Sequence, residues 1–475
     1  MFKLLIALFI AIFTQELYGT NQTEDLSAIQ SPDSLPFRIS IELSDFQLPS
    51  DNLNSYGLQA YVAAVYHGKW LLLAGRTNGL HGFDNDTGNF TRQQNTTVYV
   101  VDPNKKTVVF KSLTDPSANL TQAQIDTLSV TAAQAYQAGK TLYVVGGYGI
   151  DTPTGQFTTK STLTAIDVPG LMQWVESKKS KKSASQYIRQ TSHPLLQVTG
   201  GCLTQTDPHQ PFLLIFGQNF NGYVTLSSNG SYTQQVRTFK IIDNGKMLYI
   251  QPGQQYSPNP SYRRRDTNIV PIMQKDSKSY TPAVVALSGV FTEDFGVWTV
   301  PVLINGDGSS FMADPSDPNT FKQGMNNYFC APTGLFSKKT NDMYVLLFGG
   351  LSYLTVSGGS FTPDAEIPFI NNVTTVKIDA QGNFQQYLME NEYPLMTSDF
   401  SNPGNTLLFG TEARFIPANN LSTFPNGVFS LDDLKSSPVL LGYIVGGIQS
   451  TVPNTNSLSD SAASPYIFSV FLERR

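Results

Sequence analysis

Residues 140–147 read KTLYVVGG, and the same construction, a short apolar run closed by glycine, returns five more times along the chain. It appears as KWLLLAG at 69–75, PFLLIFG at 211–217, PAVVALSG at 282–289, MYVLLFGG at 343–350 and LLGYIVGG at 440–447. A run of aliphatic and aromatic residues with no polar alternation is the pattern of a strand buried on both faces. The closing glycine marks a bend or a close backbone approach. Six copies spaced roughly 60 to 100 residues apart identify a repeat, and a repeat governs how everything between its copies is read.

Outward from each run the neighbours repeat as well. Ahead of it lies a strand rich in small residues: AYVAAVY at 60–66, SVTAAQAY at 129–136, QVTGGCL at 197–203, NYFCAPTG at 327–334 and GTEARFIP at 410–417. Behind it, after a loop, comes a strand that often ends in aspartate: TVYVVD at 97–102, TLTAID at 162–167, RTFKIID at 237–243 and TTVKID at 374–379. A turn and a fourth short strand follow, as in NKKTVVF and NGKMLYI. Four strands per unit and six units predict an all-β, six-bladed β-propeller. The expected blades cover about 56–115, 128–192, 195–252, 262–315, 325–392 and 405–475. The last unit ends in PYIFSVFLERR and lacks a fourth strand, whereas PFRISIELSDF near the start alternates Phe37, Ile39, Ile41 and Leu43 with polar residues. Strand 37–46 is therefore expected to pair into the last blade and close the ring.

The glycine doublets Gly146–Gly147, Gly349–Gly350 and Gly446–Gly447 resemble kelch repeats, the blade type also seen in the galactose-oxidase central domain. Within that group the chain looks most like exported bacterial kelch-like proteins of unassigned function. The resemblance implies a kelch-type fold whose first strands line a central channel. It also implies that the long loops after the glycine-closed runs, at 76–95, 148–160, 218–234, 351–371 and 448–464, gather on one face at its mouth.

Composition bounds the partners. Only 14 % of residues are charged, and the formal net charge is −5, which leaves no basic footprint for nucleic acid. The opening MFKLLIALFIAIFTQELYGT, with Lys3 ahead of an apolar stretch at 4–13, reads as a signal peptide at 1–19, followed by a linker at 20–35. The mature protein is expected to be secreted or periplasmic, monomeric and not membrane-spanning. Cys202 and Cys330 are the only cysteines, too few to hold an exported chain of this size by disulfides, which suits a bacterial envelope or secreted protein. They read as small buried thiols. The lysine run ESKKSKKSAS at 176–185 reads as a solvated insertion.

SYRRRDTNIVP at 261–271 concentrates three arginines and an aspartate at the start of the fourth blade's first strand. Strand alternation would send Arg264, Asp266 and Asn268 to one side and Arg263, Arg265 and Thr267 to the other, with one set facing the channel. Guanidinium forks suit a carboxylate ligand. The alternative is that arginines and acids pair with each other or with a neighbouring blade. Glu412 and Arg414 face the same choice in the last blade, and Asp266 or Glu412 are the candidates for moving a proton. His81, Trp298 and Tyr353 are further candidate ligand contacts at the rim. No two histidines are placed to meet, which argues against copper chemistry; no metal or cofactor is expected. The residues point to a non-catalytic binder of a glycan or extracellular protein. The competing reading is an enzyme acting on an acidic sugar, similar in kind to the kelch-type sialic-acid mutarotase.

Overall fold

The computed structural model describes residues 26–49, 57–82, 94–178, 181–224, 230–275, 279–294, 296–435, 437–455 and 457–475. The expected signal peptide at 1–19 lies outside them. The described strands build a β-propeller. Its first blade runs from the axis outward through Val62–Tyr66, Lys69–Leu73, Thr97–Asp102 and Thr107–Ser112, all antiparallel. Three more blades repeat this order, beginning with the inner strands Gln134–Ala138, Cys202–Thr204 and Asn268–Lys275. The last blade begins at Arg414–Pro417 and contains Val439–Val445 and Ile467–Arg474.

The expectation of six blades needs correction, because the propeller has five. Five blades have the four-stranded form, and the segment between the fourth and the last folds as a mixed six-stranded sheet. Its middle strands Thr333–Ser337, Asp342–Phe348, Val373–Ile378 and Phe384–Leu388 are antiparallel. Ile29–Gln30 and Phe429–Ser430 add in parallel at its two edges. Two-residue strands carry no periodicity, so the sequence gives no sign of them. Ile29–Gln30 also changes the view of 20–35 as a linker, because Leu26 and Ile29 pack against Met325, Leu354 and Ile370.

Each glycine-closed run is the second strand of its sheet, packed between neighbours on both faces. In the second blade Leu142 and Val145 are fully buried. Gly147, at φ +86°, brings the chain so close to the first strand that a Cβ there would sit 2.6 Å from Val130 Cγ2. The ring closes through Phe37–Leu43, antiparallel to Ile467–Arg474 with Phe37 opposite Arg474. Phe37, Ile39 and Ile41 point inward at 0, 2 and 7 % exposure. Phe37 meets Tyr344 of the six-stranded sheet edge-on at 5.3 Å, so the closing strand ties two sheets together. The lysine run follows a helix, Val168–Glu176, whose Leu171 and Trp174 are buried while Lys178, Lys181 and Lys182 are exposed. Among the described residues no helix is long and apolar enough to cross a membrane.

Removing the buried ring of Phe37 opens a cavity at this closure. Phe37→Ala should cost about 3–5 kcal/mol, read as a lower urea midpoint; an unchanged midpoint would show that the closing strand contributes little.

Candidate functional site

At the entrance to each inner strand one residue adopts the left-handed conformation: Ala60 (φ 49°), Ala132 (48°), Gly200 (66°), Asp266 (52°), Phe329 (52°) and Glu412 (57°). Five backbone hydrogen bonds run between them around the axis, from Phe329 through Glu412 and Ala60 to Asp266. The Ala132 N–H donates to Ala60 O (3.2 Å), Gly200 to Ala132 O (3.0 Å), Asp266 to Gly200 O (2.9 Å), Glu412 to Phe329 O (2.7 Å) and Ala60 to Glu412 O (3.2 Å). The residue ahead of each of these pairs with the residue that follows the glycine of the same sheet: Gln59 with Arg76, Thr131 with Tyr148, Thr199 with Gln218, Arg265 with Val290 and Tyr328 with Leu351. In the last blade the Ile448 N–H donates to Thr411 O at 2.8 Å.

These twelve residues line two adjoining spaces on the long-loop side: an inner basin of about 100 Å³ and an outer chamber of about 400 Å³. Both contain Leu80, His81, Arg265, Asp266 and Glu412 in their walls. Across the ring lies a third space of about 110 Å³, lined by Cys202, Asn268, Cys330 and Arg414, and Glu412 borders it too.

The left-handed turn at Asp266 overturns the expected alternation. A residue at positive φ resets the side-chain direction, so Arg265 and Asp266 both face the channel, paired at 3.4 Å. The three adjacent arginines therefore serve three ends. Arg264 is fully buried between sheets, where its guanidinium donates to Ser261 O (3.2 Å), Ser288 O (3.2 Å) and Val300 O (2.9 Å) and lies 4.7 Å over the Trp298 ring. Arg263 donates to Phe291 O and Thr292 O and stacks at 4.1 Å on Tyr232. Arg265 alone of the three reaches the chamber.

The other sequence candidates divide in the same way. His81 and Glu412 reach the chamber. Asn268 is buried, donating to Asn327 O (2.7 Å) and accepting from the Cys330 N–H (3.1 Å), which stitches two sheets together. Trp298 donates its indole N–H to Arg263 O (2.7 Å) and supports the loop. Tyr353 packs in the cluster around Met325, away from the chamber, and Arg414 lies across the ring, bonded to Tyr61 O (3.1 Å). Gln59, Arg76, Tyr328 and Thr411 were missed. The signal was available, since each sits at a fixed offset from a repeat glycine or its partner strand.

Asp266 and Glu412 are part-buried, with 24 % of the Asp266 side chain still exposed. Burial pushes the Glu412 carboxyl up to about 8 and the Asp266 charge pushes the same way; Arg76 and Arg414 pull it down. Burial also raises Asp266, opposed by Arg265. His81 is driven down to about 4 by burial, with Arg265 and Arg76 adding to the effect, so it is neutral at pH 7. The Tyr328 hydroxyl is held far above its ordinary range by burial, then by Asp266. Asp266 Oδ1 lies where a Cβ on Gly200 would come within 2.8 Å, so the carboxyl uses the space that this glycine leaves open. The raised Glu412 and Asp266 carboxyls and the Arg265 guanidinium in one chamber, with the Arg76 guanidinium in the adjoining basin, can grip a polar ligand and exchange a proton with it.

Glu412 binds a proton in the folded state that the unfolded chain has released, so stability falls as pH rises from its unfolded value, near 4.5, to about 8. Urea unfolding of Glu412→Gln and the parent between pH 5 and 9 should therefore diverge: the parent loses stability relative to the variant up to about pH 8, then runs parallel. Parallel curves across that window would mean that Glu412 ionises normally.

Neither a family model nor a curated protein sequence matches the chain. Among solved structures, one titled "Structure of YjhT" is similar over 90 % of this chain and 99 % of that one, with a TM-score of 0.43 and 9 % identity. At that identity and score the likeness says nothing of what the chamber binds.

Proposed function

We propose that the protein is an exported kelch-like propeller that binds a small polyhydroxylated ligand, a glycan unit, in the chamber at the channel mouth. The observation that supports this most is the polar floor. Arg265, Asp266, Thr411 and Glu412 line the chamber, and Gln59 and Arg76 line the adjoining basin. Sugar hydroxyls both donate and accept, so they can pair with carboxyls, amides and guanidiniums of this kind. An enclosed chamber favours a small ligand over a protein surface.

A second reading is catalytic, an isomerase or mutarotase type of reaction on an acidic sugar. What favours it is Glu412, whose carboxyl at about 8 is matched to proton transfer near neutral pH, with Arg265 available to hold a sugar carboxylate.

Thermal-shift measurements with glucuronate, N-acetylneuraminate and neutral oligosaccharides separate these readings. A ligand at a hundred times its Kd should stabilise the fold by about 2.7 kcal/mol, and Arg265→Ala should abolish the shift for acidic sugars. NMR of anomer interconversion on a ligand that binds then decides catalysis: acceleration by the parent and not by Glu412→Gln supports it. No shift with any sugar would remove both readings.

A further inference from the structure

We propose that the ligand of this chamber carries an apolar arm, an alkyl or aryl substituent, beside its hydroxylated head. The inference rests on the reading of the chamber as a site for a polyhydroxylated ligand and specifies what else that ligand must be. Within a mixed lining, polar and apolar residues concentrate on different sheets. The first three blades supply an arc of amides, hydroxyls and a guanidinium through Gln59, Arg76, Thr131, Thr199 and Gln218. The fourth blade and the six-stranded sheet supply Val290, Phe291, Leu351, Ile367 and Phe369 on the other side.

The basin beside the polar arc holds only about 100 Å³, whereas the chamber holds about 400 Å³ and is lined by the apolar arc on one side and by Arg265, Asp266, Glu366, Glu412 and Asn454 elsewhere. A free sugar filling the chamber would press hydroxyls against the apolar arc on one side, which is unfavourable for each hydroxyl left there without a partner. A hydrocarbon arm there removes apolar surface from water on both sides of the contact. Phe291 marks the border, half-buried, with the Arg265 guanidinium 5.4 Å from its ring on the polar side. Leu351, Ile367 and Phe369 belong to one buried cluster that Phe291, Leu80 and Tyr328 border, so the wall is backed by packed core and keeps its shape without a ligand.

Isothermal titration of the full protein with two series, 1-O-alkyl glucuronides and 1-O-alkyl glucosides from methyl to hexyl, tests this. At least one series should gain about threefold to fourfold in affinity per added methylene, and Phe291→Ala should weaken the hexyl member more than the methyl member. A melting curve of the variant checks its fold, and the parent series decides the question even if the variant does not fold. Methyl members that bind with no gain along the series would overturn the arm and leave the hydroxylated head standing. A gain that survives unchanged in a folded Phe291→Ala would also overturn it, because the arm would then lie elsewhere. No binding by any member would instead bring down the reading on which the arm depends.

Discussion

Ala60, Ala132, Gly200, Asp266, Phe329 and Glu412 all hold positive φ, and the hydrogen bonds that pass between them around the axis hold the rest of the arrangement in place. A left-handed residue with a side chain costs about 1–2 kcal/mol, and five of these six have one. The cost is tolerated because each is clamped twice, by its neighbour in the ring and by the inner strand that starts beside it. The conformation turns the side chains of the five other than Gly200 toward the axis. Alanine and glycine at three adjacent positions leave that side of the ring open, while Asp266, Phe329 and Glu412 crowd the other.

That distribution explains the electrostatics of the chamber. Two carboxyls placed near one another with little water cannot both ionise easily, and the guanidiniums of Arg76 and Arg265 offset part of the repulsion. Arg264, one residue away in sequence, never enters this balance. It occupies the inter-sheet position that Val130 and Val198 hold in the two preceding blades, each accepting through its carbonyl from the glycine amide next door. Its charge is stabilised by backbone carbonyls and an indole face in place of a ligand. Adjacent arginines thus differ in role because the backbone, and not the residue type, decides which side chain meets the channel.

The propeller was legible in the sequence because its evidence is redundant. Six glycine-closed runs, each flanked by strands of fixed character, report the same architecture, and the closing strand announces itself through the alternation of Phe37, Ile39 and Ile41. The six-stranded sheet was not legible, since Ile29–Gln30 and Phe429–Ser430 are too short to carry a pattern and their pairing is a tertiary event. Of the candidate site, Arg265, Asp266, Glu412 and His81 were within reach because they lie at strand entrances or in the long loop of the first blade. Arg263, Arg264 and Asn268 were drawn in with them by an alternation rule that fails at a positive-φ residue. Arg76 and Tyr328 were passed over because each looks ordinary by itself; only aligning the sheets on their glycines shows that both stand beside the ring.

The antiparallel pairing of Phe37–Leu43 with Ile467–Arg474 joins segments more than four hundred residues apart. During synthesis the first of these strands is made long before its partner exists, and the aromatic face of Phe37 has nowhere to go until the other end of the chain is complete. Assembly therefore depends on an early segment staying uncommitted while the intervening sheets fold. The polar residues Arg38, Ser40 and Glu42, which alternate with the apolar ones, help keep that waiting strand from pairing with a second copy of itself.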